Sequence, residues 1–203
     1  MSIRKTSWIL ALALCGVAGE AAAQATGMPS YYAPYRSFDK NEVGVTVSFP
    51  DYDGFALEGL FGFGYKQFDI QARGGFYDPG EGIDTQIMVG VSGRARVLTH
   101  TSDFPLDGAI VTGIGAWFDG TSTALIPIGF SLGRRLNVED SQVSIVPYVE
   151  PTGLIVTAGG DHFAFGLGLG ADFKLSRKFD ARLSVAFGDA PLEGFSISAV
   201  WVN

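Results

Sequence analysis

Few side chains in this sequence could carry chemistry. His100 and His162 are the only histidines, and Cys15 is the only cysteine. A nucleophilic site needs a serine within hydrogen-bond reach of its base. His162 lies in "GGDHFAF", with no serine close by in sequence. Neither a phosphate-binding loop nor a zinc-ligand spacing is present. The expectation is no catalytic residue, no metal and no cofactor. What remains is a set of charges: Glu58, Asp69, Glu150 and Asp172 against Arg73, Arg94, Arg96 and Arg182. Buried charges persist when they are paired. Two functions could follow. In one, the charges form an internal salt-bridge network, with Arg94, Arg96 and Arg182 holding Glu58, Glu150 and Asp172. In the other, they line a narrow polar pore and select small solutes or ions. The network is the first expectation and the channel its alternative.

The elements that must position these charges are strands. In "HFAFGLGLGADFKLSRKFDARLSVAF" (162–187), Phe163, Phe165, Leu167, Leu169, Ala171 and Phe173 fall on every second place. Period two over such a run predicts strands. The same alternation predicts ten: 42–50, 54–65, 67–77, 83–97, 106–118, 123–135, 142–156, 162–175, 179–188 and 194–202. Short connections make sequence neighbours pair as antiparallel hairpins. One face carries residues such as Val43, Val45, Phe61, Phe63, Val89, Ile128 and Trp201. The other carries Thr46, Gln71, Tyr77, Ser131, Arg135, Tyr148, Ser184 and the charges named above. A soluble sandwich would fill its polar face with Lys and Glu. Here that face is rich in glycine, at Gly62, Gly64, Gly75, Gly90, Gly129, Gly166, Gly168 and Gly170. Glycine suits the crowded interior of a narrow barrel. The apolar face suits lipid, and a membrane forbids open strand edges, so the sheet must close. The predicted fold is all-β: an antiparallel up-and-down transmembrane β-barrel of about ten strands. Eight is the alternative if the first hairpin is miscounted.

The chain opens with Arg4 and Lys5, an apolar run from Trp8 to Gly19, and small residues suited to cleavage after Ala23 or Ala25. This is a signal-peptide pattern over residues 1–25, and the run is too short to span a bilayer. Leu14 stands where a lipidation site at Cys15 would want a small residue. Residues 26–41 read as an irregular, tyrosine-rich lead-in, and residues 42–203 as the barrel. The mature chain of 178 residues has no thiol, and 12 basic against 20 acidic residues give it a charge of −8. That balance argues against a nucleic-acid partner.

"GLGLGADFKLSRKFDARLSVAF" (166–187) resembles the penultimate hairpin of small bacterial outer-membrane β-barrels of the OmpA-like and opacity-protein-like class. The resemblance implies a Gram-negative outer-membrane, porin-like protein of the cell envelope. Its partners would be outer-membrane lipids, lipopolysaccharide and, during insertion, the barrel-assembly machinery. The likeness identifies an architecture and not an activity. The expectation of a monomer that is not an enzyme, with a structural role and a largely side-chain-filled lumen, rests on a ten-stranded interior little wider than an eight-stranded one. A lipid-modifying enzyme is a third possibility the class contains. Such barrels usually end in an aromatic residue, whereas this chain ends Trp201-Val202-Asn203. The class keeps both termini in the periplasm. Its outer connections would then carry Asp51, Asp53, Asp78, Glu81, Asp119, Asp161, Asp189 and Glu193, an acidic rim of solvated turn residues.

Overall fold

Period-two alternation becomes strand over most of each stretch where it was read. The computed structural model describes residues 25–36, 40–50, 54–80, 82–118, 122–157, 161–189 and 193–202. The predicted leader up to residue 24 lies outside them, as do Asp51, Asp53, Glu81 and Asp119 of the acidic rim. The strands are Glu42–Pro50 (β1), Phe55–Tyr65 (β2), Phe68–Asp78 (β3), Gln86–Leu98 (β4), Asp107–Phe118 (β5) and Ser122–Gly133 (β6). They continue with Leu136–Asn137 (β7), Ser144–Thr157 (β8), Asp161–Lys174 (β9), Phe179–Gly188 (β10) and Gly194–Val202 (β11). Every pairing is antiparallel between sequence neighbours, apart from β6 with β8 and β1 with β11. The β1–β11 seam runs unbroken from Glu42↔Val202 to Pro50↔Gly194 and closes the sheet. The two-residue β7 holds to β8 in the register that β6 began. The molecule is therefore a closed up-and-down barrel of ten long strands, and the eight-strand alternative is set aside.

Prolines explain why β6 and β7 are separate pieces. The β6–β8 ladder lapses at Phe130–Ser131 and again between Gly133 and Leu136. In the shared register, Pro151 and Pro147 stand opposite these gaps, and proline has no N–H to give a ladder. The predicted strand 123–135 is thus interrupted near its end. Residues 83–85 are not strand either, because Gly80 and Gly82 take φ of 75° and 79° and lengthen the turn before β4. In β4 the register shifts between Arg96 and Leu98, which leaves Val97 as a bulge.

The outside of the barrel is apolar. Val43, Val45, Phe61, Phe63, Val89, Val91, Ile128, Leu167, Val185 and Ile197 all stand exposed. Thr112, the polar residue among Ile110 and Ile114 on this face, donates its hydroxyl hydrogen to Pro127 O at 3.0 Å. That bond hides its polarity from the surroundings. The interior is less polar than the alternation suggested. Leu60, Met88, Val111, Leu125, Val146, Leu154 and Val200 are buried there beside the charges.

Candidate functional site: a self-filled lumen

The lead-in is what fills the barrel. Ala25, Thr26, Met28, Ser30, Tyr31, Tyr32 and Ala33 are all buried. The segment passes along the lumen as irregular chain. Met28 packs with Ala56, Tyr77, Met88 and Trp117, near the end that carries the 79–85 turn. Arg36 reaches Asp69, near the opposite end that carries the 66–67 turn. These are called the loop end and the turn end below.

Irregular backbone inside a barrel has no ladder, so its polar groups need other partners. The wall supplies them almost residue by residue. Trp117 Nε1 donates to Thr26 O at 2.6 Å, and Ser184 Oγ donates to Pro29 O at 2.9 Å. Arg73 Nη1 donates to Ser30 O at 3.4 Å, and Tyr148 OH donates to Tyr31 O at 2.9 Å. Tyr32 N donates to Glu150 Oε2 at 2.8 Å, while Ser131 Oγ donates to Tyr32 O at 2.5 Å. Arg94 Nη1 donates to Ala33 O, and Arg135 Nη2 donates to Arg36 O at 3.4 Å. The Tyr32 hydroxyl shares a hydrogen bond with Ser92 Oγ at 2.8 Å.

The inward glycines make room for this segment. A Cβ on Gly168 would overlap the Tyr31 ring, and one on Gly115 would overlap the Ala25 carbonyl. Gly90 and Gly113 flank Ala25 in the same way, and Gly133 flanks Pro34. The predicted reason for glycine, a crowded interior, is met here by backbone as well as by side chains. Tyr31 and Ala33 then join Leu125, Val146, Tyr148, Leu154, Ala164 and Ala186 in one apolar cluster. The buried apolar wall positions are those that receive the lead-in's own apolar side chains.

The sequence-selected charges fall into two groups. In the first, Arg73 pairs with Glu58 at 2.5 Å, with both side chains almost wholly buried. Arg94 pairs with Asp69 at 3.1 Å, and Asp69 also holds Arg36 at 2.8 Å. In the second, Arg182 meets Glu42 at 3.0 Å, Asp180 at 3.2 Å and Asp172 at 3.6 Å. Gln71 Nε2 approaches Glu42 at 3.5 Å. The expected pairing therefore changes at three residues. Glu58 belongs to Arg73, which lies nearly opposite it on the neighbouring strand. Glu150 accepts the Tyr32 N–H. Arg96, next to the bulge, is exposed and lies over the Tyr35 ring at 5.9 Å, with no carboxylate partner among the described residues.

Arg36, Glu42, Asp180, Tyr31 and Tyr32 were not among the selected residues. Glu42 and Asp180 share the parity of Thr46 and Arg182, so alternation could have found them. The lead-in residues carry no such signal.

His162 sits exposed at the loop end, paired with Val156 across the ladder. His100 Nδ1 lies 3.0 Å from Asp107 Oδ2 at the turn end. The described residues contain no group of three or more His, Cys, Asp or Glu able to hold a metal. Of the acidic rim, Asp78 accepts the Gly80 N–H at 2.9 Å, an ordinary turn contact.

A closed sheet with an apolar outside and a polar, occupied inside leaves no open strand edge along the seam of its first and last strands. The fold is an outer-membrane-type β-barrel. No family model matches the chain, and no curated protein does. Among solved structures the chain is similar to in-vitro folded OmpT, an outer membrane protein of Vibrio cholerae. Identity is 12% and the TM-score 0.32, over 92% of this chain and 70% of that one.

Proposed function

We propose that this protein is a small barrel of the bacterial outer membrane. Residues 1–25 would be its export signal, and its role in the envelope is structural rather than transport or catalysis. The observation that carries this reading is the lead-in seated in the lumen, with nine backbone hydrogen bonds to wall side chains among the described residues. A ten-stranded interior is only slightly wider than the side-chain-filled eight-stranded one. A buried chain passing along it takes the room that a water path would need. The exposed apolar side chains around the barrel meet lipid and lipopolysaccharide. The turn end, where the chain enters β1 and leaves β11, faces the periplasm, and Thr26 and Met28 then lie at the outer end, unlike the N-terminus of the class it resembles.

A second reading is a channel that conducts when the lead-in leaves the lumen. It is favoured by one feature: the lead-in belongs to no strand, so its removal would break no ladder. The two readings separate in a planar bilayer. The structural reading expects no steady current through the refolded mature protein at moderate voltage. The gated-channel reading expects steps that appear and disappear as the lead-in moves.

A further inference from the structure

The turn end holds a feature that filling the lumen does not explain. Below the lead-in opens a funnel of about 730 Å³. Its lining includes Arg36, Lys66, Arg96, Arg134 and Arg135, with Asp69 and Asp107 as the lining carboxylates. Asp69 is engaged by Arg36 and Arg94, and Asp107 by His100. Tyr35 stands at the floor, with Arg135 stacked on its ring at 4.9 Å and Arg96 at 5.9 Å. The ring fixes the two guanidinium planes, as aromatic faces do for arginine.

Among the described residues, Arg36 Nη1 and Arg135 Nε meet no hydrogen-bond acceptor, and both atoms are fully enclosed. The Arg36 side chain is only 5% exposed. A buried guanidinium donor left unmade is costly, and such groups ordinarily have a partner. Among the described residues the wall offers none, and Thr26 Oγ1 and Tyr31 OH higher in the lead-in are unpartnered too. An anion in the funnel would meet the exposed Arg96 guanidinium, which has no carboxylate partner among the described residues, and would balance the cations in excess among the described lining residues.

We infer that the turn-end funnel is a binding site for a small soluble anion bearing phosphate groups, held by Arg36, Arg96 and Arg135 around Tyr35. Guanidinium forks match phosphate oxygens in pairs, which favours phosphate over a single carboxylate. None of the funnel's lining residues belongs to the exposed large apolar side chains of the outer face, which favours a soluble anion over a lipid headgroup. The site does not depend on whether the lumen conducts.

The test uses the refolded mature protein in a zwitterionic detergent, titrated calorimetrically with inorganic pyrophosphate. Saturable binding is expected, and it should weaken roughly tenfold or more in Arg135→Gln, the scale of one lost charge-assisted hydrogen bond. Arg96→Gln removes an exposed side chain with no carboxylate partner, so it keeps the fold and gives the same readout if Arg135→Gln does not refold. Absence of saturable heat, or equal affinity in both variants, overturns the site. A second titration adds phosphatidylglycerol to the micelles. Unchanged pyrophosphate affinity supports a soluble ligand. Competitive displacement assigns the funnel to lipid phosphate and overturns the soluble source.

Discussion

Arg94 and Arg182 are both inward arginines, each 9% exposed, yet they hold different things. Arg182 is surrounded by wall carboxylates: Glu42 from β1, Asp172 from β9 and Asp180 from its own strand. Its donors are consumed within the barrel, and it ties β10 across β11 to β1. Arg94 has one carboxylate, Asp69, and turns a donor to the Ala33 carbonyl of the lead-in. Arg73 does the same with Glu58 and the Ser30 carbonyl. An arginine saturated by acids stabilises the wall. One with donors to spare can bind a strand-less backbone, which offers only single carbonyls.

The largest expected difference between the groups comes from removing the saturated arginine. Arg182→Met leaves three carboxylates close together without the guanidinium between them. Breaking a buried pair costs about 3–5 kcal/mol. The variant should refold poorly or unfold at a much lower denaturant concentration, without any gain in conductance. Conductance at unchanged stability would show that Arg182 belongs with the lead-in instead.

The outer face gives the next largest effect and checks the frame that both groups share. Leu167 is exposed and lies midway along β9. Leu167→Arg should cost about 2–4 kcal/mol in bilayers, the scale for a lipid-facing arginine near the midplane. Tolerance of the change, in a protein soluble without detergent, would contradict a lipid-facing surface.

Gly168→Leu acts on the lead-in alone. The new side chain takes the space of the Tyr31 ring. Overpacking costs about 1–3 kcal/mol if the ring stays. If the ring leaves, tyrosine fluorescence should report exposure to quenchers while the strand signal in circular dichroism persists. Loss of the strand signal would mean that lead-in and wall fold as one unit.

Glu150→Gln should have the smallest effect. Glutamine keeps an acceptor for the Tyr32 N–H, so the loss is the difference between a charged and a neutral hydrogen bond, about 1 kcal/mol. A much larger fall in the denaturation midpoint would mean that its charge, not its acceptor, is what the lumen uses.

The same contrast explains what the sequence made legible. Strands buried on one face write their orientation in every second residue. Val43, Leu167 and Ile197 on one parity and Thr46, Arg182 and Ser184 on the other are enough to place the wall. Breaks in the ladder at Pro147 and Pro151 depend on which residues they face across β6, which no single strand records. The lead-in has no period, because its contacts are set by the cavity and not by a repeat. Its tyrosines alone hinted at burial. The arginine partners were therefore read as wall acids alone, when Arg73 and Arg94 each also hold a carbonyl of a segment that alternation cannot see.

The central claim is that residues 26–36 close the barrel. It is tested most directly by planar-bilayer recording of two refolded proteins, the mature chain and a chain that begins at Ser37, both checked for strand content beforehand. The account predicts no steady conductance for the mature chain and stable open steps for the shortened one, with Gly168→Leu between them. Steady current through the intact chain, or a shortened barrel that folds and stays closed, would contradict it.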